Sequence, residues 1–222
     1  MEKVLNDQIV QQIQEAFAEV KEPVQVLLFG SKENCDYCSE TRQLLEEVTA
    51  LHDKLELSVY DLQENADVAQ QFNVTSAPGI VIAAREDAEV KNLGIQFSGI
   101  PSGHEFSTLI NDIIIASKRD SGLSEKTREY LRSLDKPLHL QVFVTPTCPY
   151  CPRAVLLAHQ MAMENPAMIR AEGVEATEFP ELANRFNVRG VPQTVVNAGK
   201  GMVVGAVPEQ NLIAEIQRAL QN

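Results

Sequence analysis

All four cysteines of this 222-residue chain fall in two Cys-x-x-Cys pairs, Cys35-Asp36-Tyr37-Cys38 and Cys148-Pro149-Tyr150-Cys151. Such a pair can exchange a disulfide with another molecule. The thiolate of the first cysteine attacks, and the second cysteine resolves the mixed disulfide. A free cysteine ionises near pH ~8.5, but in Cys-x-x-Cys pairs at helix N-termini the value falls to roughly 3.5–7.5. Unpaired N–H groups and the positive end of the helix dipole stabilise the thiolate there. Cys35 and Cys148 are therefore the candidate nucleophiles, and Cys38 and Cys151 their resolving partners. The two sites should differ. Pro149 takes a first-turn position where its missing N–H costs nothing. Asp36 sets a carboxylate beside Cys35; at ~7 Å and an effective dielectric of ~60 it opposes the thiolate by roughly 0.8 kcal/mol, about half a pKa unit. Cys148 is the expected stronger nucleophile.

Three other uses of paired cysteines stand beside this one. Four thiolates can hold Zn²⁺, although the gap between Cys38 and Cys148 far exceeds the roughly 15–20 residues of a zinc ribbon. Inert structural disulfides would gain little from closing so short a loop. Outside redox chemistry, the alternative is a peptide-binding chaperone whose cysteines are incidental.

The elements that must hold the pairs recur along the chain. Each pair follows an apolar strand-like run, Val24 to Phe29 or Leu138 to Val144, and precedes a helix, about Cys35 to Leu51 or Cys148 to Met163. Gln71-Phe72-Asn73-Val74-Thr75-Ser76-Ala77-Pro78 matches Arg185-Phe186-Asn187-Val188-Arg189-Gly190-Val191-Pro192 at an offset of 114, which Phe29 and Phe143 share. The chain is a duplicated unit. Leu5, Ile9, Ile13, Phe17 and Val20 predict an amphipathic N-terminal helix that Pro23 ends. Strands alternating with helices imply an α/β layer fold, and Asn197–Gly201 implies a hairpin and a mixed sheet. The polar, turn-rich segment Lys118–Ser124 marks a boundary between residues 1–119 and 120–222.

Composition narrows the class. A formal charge of −12 and a pI near 4.8 argue against nucleic-acid and polybasic membrane-surface partners. Met1–Asp7 lacks the basic start and apolar stretch of a signal peptide, and no run approaches the roughly 20 apolar residues of a membrane helix. The expected location is cytoplasmic. There a Cys-x-x-Cys pair is redox-active or metal-binding more often than structural. His52, His104, His139 and His159 show no partner pattern and are expected at the surface or as caps. Asp61 and Glu175 read as solvated strand ends.

The strand–Cys-x-x-Cys–helix unit with a later X-Pro strand resembles the thioredoxin fold, and Cys148-Pro149-Tyr150-Cys151 is the glutaredoxin-type motif. Phe143–Pro152 and Gly99-Ile100-Pro101-Ser102-Gly103-His104-Glu105-Phe106 resemble the two-domain protein disulfide oxidoreductases, or glutaredoxin-like proteins, of thermophilic archaea and bacteria. The N-terminal module of the flavoprotein component of alkyl hydroperoxide reductase is a second relative, but it keeps one active dithiol. The resemblance implies two tandem thioredoxin-like domains, each a mixed sheet flanked by helices. It implies a protein thiol–disulfide oxidoreductase with no bound cofactor, taking electrons from an NADPH-dependent flavoprotein of the thioredoxin-reductase type. The rival within redox chemistry is an electron relay to a peroxiredoxin. Pro78 and Pro192 would be cis, leaving the backbone of Ala77 and Val191 to pair with a substrate strand. Thioredoxins bury an acid six residues before the first cysteine. Phe29 and Val142 stand there, so no such base is expected.

Overall fold

The computed structural model describes residues 3–87 and 89–221; Met1 and Glu2 of the N-terminal run lie outside the described residues. Apolar residues on both faces of its strands give the chain a buried sheet with helices on each side. In the first half these elements are α1 (Asp7–Phe17), β1 (Val24–Gly30), α2 (Cys38–Thr49), β2 (Leu55–Asp61), α3 (Ala66–Phe72), β3 (Gly79–Glu86), β4 (Glu89–Ser98) and α4 (Glu105–Lys118). The second half repeats them as α5 (Glu125–Arg132), β5 (Leu138–Val144), α6 (Cys151–Glu164), β6 (Ile169–Glu175), α7 (Pro180–Arg185), β7 (Gln193–Val196), β8 (Gly201–Val204) and α8 (Glu209–Gln221).

The two mixed sheets are fused into one of eight strands, ordered β2-β1-β3-β4-β6-β5-β7-β8. The joint is a parallel pairing of β4 with β6, Ile95 opposite Ala171 through Ser98 opposite Val174. Strand alternation sorts the side chains. Val24, Val26 and Leu28 join Leu140, Val142 and Ala171 in a single apolar cluster with Leu45, Ile113, Val155 and Ile216 of the helices. The opposite face carries two smaller clusters. Phe29 and Val81 pack on Phe72 of α3, while Phe143 and Val195 pack on Ala183 of α7. The dithiol helices α2 and α6 thus lie on the same face, over one continuous core.

Three expectations shift. α1 stops at Phe17, where Ala18 to Val20 turn back on the helix end, and Pro23 instead leads into β1, its carbonyl accepting from the Arg85 N–H at 3.1 Å. α2 begins at Cys38 and α6 at Cys151, so Cys35 and Cys148 sit in the loops just before the helices. In the first half Asn34 takes a left-handed φ of 55°, a conformation Asn tolerates and a helix does not.

Candidate active site

Both cysteine pairs are closed as disulfides, each with Cα atoms 5.5 Å apart. They stand at the same end of the sheet. β1 and β4 are each antiparallel to β3, which lies between them, and so run the same way, and β4 and β5 run parallel to β6, so the C-terminal ends of β1, β4, β5 and β6 share one edge. A side-chain carbon built on Gly30, the last residue of β1, would lie 3.5 Å from Cys38 Sγ. Four strand steps separate β1 from β5, which at ~4.8 Å each is roughly 19 Å. A zinc ion holds its sulfurs at about 2.3 Å, so the two pairs cannot share one, and the Cys₄ alternative is overturned.

Each dithiol has an X-Pro step on the adjacent strand. Pro78 precedes Gly79, which pairs with Phe29 of β1; Pro192 precedes Gln193, which pairs with Phe143 of β5. Both the Ala77–Pro78 and Val191–Pro192 bonds are cis. The two prolines make equivalent bonds, with the Pro78 carbonyl accepting from Gly99 N–H at 2.9 Å and the Pro192 carbonyl from Gly205 N–H at 2.8 Å. The fold therefore gathers Cys35 and Cys38 with Ala77 and Pro78, and Cys148 and Cys151 with Val191 and Pro192. Tyr37 and Tyr150 are 46% and 64% exposed beside them, available to a docking partner.

The acids were not legible at the expected position. Glu105, at the start of α4, is only 3% exposed. Burial pushes its carboxyl up to about 7, against the Thr108 hydroxyl, which donates to Oε2 at 2.8 Å. Farther along α4, Asp112 is fully buried against α6, its Oδ2 2.7 Å from His159 Nδ1. His159 Nε2 donates to the Gln96 carbonyl at 3.0 Å. The expectation of surface histidines thus fails at His159, and burial holds Asp112 above the usual carboxylate range, opposed by His159. α4 and α6 run side by side in the same direction. The His104 N–H donates to Pro146 O at 2.9 Å just before α6, while Asp112 and His159 pair farther along. Glu105 precedes Asp112 by seven residues and Cys151 precedes His159 by eight, about 10 and 12 Å at 1.5 Å per residue. Glu105 is therefore level with Cys151 across the helix interface, a buried acid supplied by the other half. The Glu105/Thr108/Asp112 spacing, one polar stripe on a helix rich in Ile, was the signal in the sequence.

The acids at the ends of β2 and β6 differ between the halves. Glu175 is buried rather than solvated, its Oε2 accepting from Thr177 Oγ1 and Glu178 N–H, both at 2.6 Å. Asp61 keeps the expected solvated strand end, capping the N–H groups of Gln63 and Glu64. Among the described residues, the buried side-chain oxygens with no hydrogen-bond partner are Glu105 Oε1, Asp112 Oδ1 and Glu175 Oε1. All three are carboxylates at the seam between the halves.

A strand-end dithiol leading into a helix, beside a cis-proline loop, defines a thiol–disulfide oxidoreductase, and the chain carries that site twice. The thioredoxin domain family model matches residues 23–111 and 138–218, and the chain belongs to that family, as a tandem of two such domains. A crystal structure of a protein disulfide oxidoreductase from Aeropyrum pernix K1 is 32% identical, with a TM-score of 0.86 over 97% of this chain and 94% of that one. The NTD_N/C domain of alkylhydroperoxide reductase AhpF from Enterococcus faecalis (V583) is 25% identical, with a TM-score of 0.86 over 96% of this chain and 99% of that one. The corresponding alkyl hydroperoxide reductase protein of Staphylococcus aureus (strain NCTC 8325 / PS 47) is 26% identical over 82% of this chain, but over 32% of its own length. The chain spans about a third of the length of the curated relatives it matches. Among the described residues, no helix is long and apolar enough to cross a membrane.

Proposed function

We propose that the protein exchanges disulfides with protein substrates at both sites, with Cys148 and Cys35 as nucleophiles. The Cys148 thiolate attacks one sulfur of a substrate disulfide, and the other substrate sulfur leaves and takes a proton. Cys151, its proton passed to Glu105, then attacks Cys148 and frees the second substrate sulfur. Two electrons move to the substrate, and Cys148–Cys151 closes. Cys35 and Cys38 act likewise. The observation that carries this reading is the convergence, at one sheet edge, of each dithiol with an exposed tyrosine and an X-Pro loop. Ala77, Pro78, Val191 and Pro192 are the proposed substrate-binding residues, the backbone of Ala77 and Val191 pairing with an extended segment. The working units are residues 1–119 and 120–222.

Reducing equivalents come, in this reading, from an NADPH-dependent flavoprotein of the thioredoxin-reductase kind, and the site of action is the cytoplasm. A second reading, relay of electrons to a peroxiredoxin, draws support from the likeness to alkyl hydroperoxide reductase AhpF. Insulin-disulfide reduction, driven by a small dithiol, tests the first. Activity should vanish in the Cys35→Ser/Cys148→Ser variant; retention there rejects it. Peroxide turnover with an added peroxiredoxin tests the relay.

A further inference from the structure

We propose that Glu178, carried by the second half, is a positioning residue for the first dithiol: its carboxyl faces the loop that bears Cys35 and sets the pH at which that cysteine becomes a thiolate. The proposal rests on the reading of Cys35 and Cys38 as an exchanging pair. Glu178 lies in the turn between β6 and α7, yet its Oε1 accepts from the Ile100 N–H at 2.8 Å. That bond draws the carboxyl across the seam toward the first half. The backbone there is stripped to admit it. Gly99 has a φ of 96°, and a side-chain carbon on it would meet Glu175 Cβ at 2.7 Å and Glu178 Oε1 at 2.8 Å. Asn34, the residue before Cys35, lines one groove of about 710 Å³ with Glu178, Phe179 and Leu182. The loop that leads into Cys35 thus faces a wall built by the other half.

The charged groups around Glu178 are Asp36 from the cysteine loop, Glu175 from β6, and Glu181 and Arg185 from α7. Burial first, then the Glu175 and Asp36 carboxylates, push Glu178 up to about 7, against the Ile100 N–H. A group ionising there overlaps the range of Cys-x-x-Cys thiols. A carboxyl that feels Asp36 and shares a groove with Asn34 has Cys35 between those two neighbours, and two such groups titrate as a pair, each charge raising the other's midpoint. An ionised Glu178 therefore holds Cys35 protonated to higher pH.

The test uses the full chain with Cys148→Ser and Cys151→Ser, so that only the first dithiol reports. The alkylation rate of reduced Cys35 is followed against pH, with and without Glu178→Gln. Glutamine keeps an oxygen for the Ile100 N–H, so a merely structural bond would leave the profile unmoved. The proposal expects the Cys35 midpoint to fall by roughly half a unit, about threefold more thiolate below it, and Glu178→Asp to restore it in part. The Glu178 carboxyl, followed by carbon NMR, should titrate at higher pH in reduced than in oxidised protein. Superposed alkylation profiles overturn the proposal and leave the exchange reading standing. A reduced Cys35 that resists alkylation at every pH overturns both.

Discussion

The two halves place their dithiols on the same strand–loop–helix scaffold and then treat them differently. Cys148 is 8% exposed and Cys151 fully buried, whereas Cys35 and Cys38 are half-buried. The reason lies in the helices. α6 is flanked by α4, which crosses from the first half, so His159 is sealed against Asp112. The equivalent residue of α2, 113 positions earlier, is Glu46, solvent-facing and paired with Arg42 at 2.7 Å. The charges differ too. Asp36 lies between Cys35 and Cys38, and Glu178 interacts with Asp36, whereas Pro149 and Pro152 follow Cys148 and Cys151 with no carboxylate between those cysteines. Apolar periodicity repeats the scaffold, while residues reaching over from the other half make the sites unequal.

That inequality can be broken at several points. The largest expected effect is on turnover. Cys148→Ser should remove most insulin reduction, Cys35→Ser less, and the pair together all of it; equal single losses would erase the ranking. Next is stability. His159→Ala leaves Asp112 buried without its partner, a change that costs roughly 3–5 kcal/mol. Glu46→Ala at the equivalent surface site should cost a few tenths of a kcal/mol. Urea denaturation of the two variants checks the contrast.

A third effect depends on pH. Glu105 has its pKa raised in the fold from 4.5 to about 7, so the folded protein binds that proton more tightly than the unfolded chain. Its contribution is whole below pH 4.5 and is lost as pH rises through 7. Glu105→Gln should then match the parent at pH 4 and exceed it by about 3 kcal/mol at pH 8, read from urea midpoints at the two pH values. A constant difference would mean that Glu105 does not titrate with folding. The smallest effect separates the nucleophiles. Cys148 should be alkylated with a midpoint below that of Cys35, and Asp36→Asn should narrow the gap by about half a unit. A lower midpoint for Cys35 would reverse the ranking.

Much of this was legible in the sequence. The duplicated Phe-Asn-Val-x-x-x-Pro segments and the two apolar runs before the cysteines announced tandem α/β units, because strand and helix periods are local properties. The fusion of the sheets was not legible, since the pairing of Ile95–Ser98 with Ala171–Val174 joins segments some 76 residues apart and leaves no local mark. Of the buried acids the sequence shows only the Glu105/Thr108/Asp112 stripe, and nothing local says what it packs against. Glu105, Asp112 and His159 each look like solvated helix residues until α4 and α6 meet. A thioredoxin-like acid would stand where Phe29 and Val142 do, on the strands, whereas here the acid arrives from the neighbouring half. Proline ends helices, which makes Pro23 look like a stop, but the turn at Ala18 comes first.

The continuous sheet also fixes a ruler between the two reactive sulfurs. Small domains are about 30 Å across, wider than the roughly 19 Å that four strand steps span. Two globular partners of that size, each centred over one dithiol, would overlap, because their radii sum to about 30 Å. Visitors of that size must therefore take turns at the two dithiols.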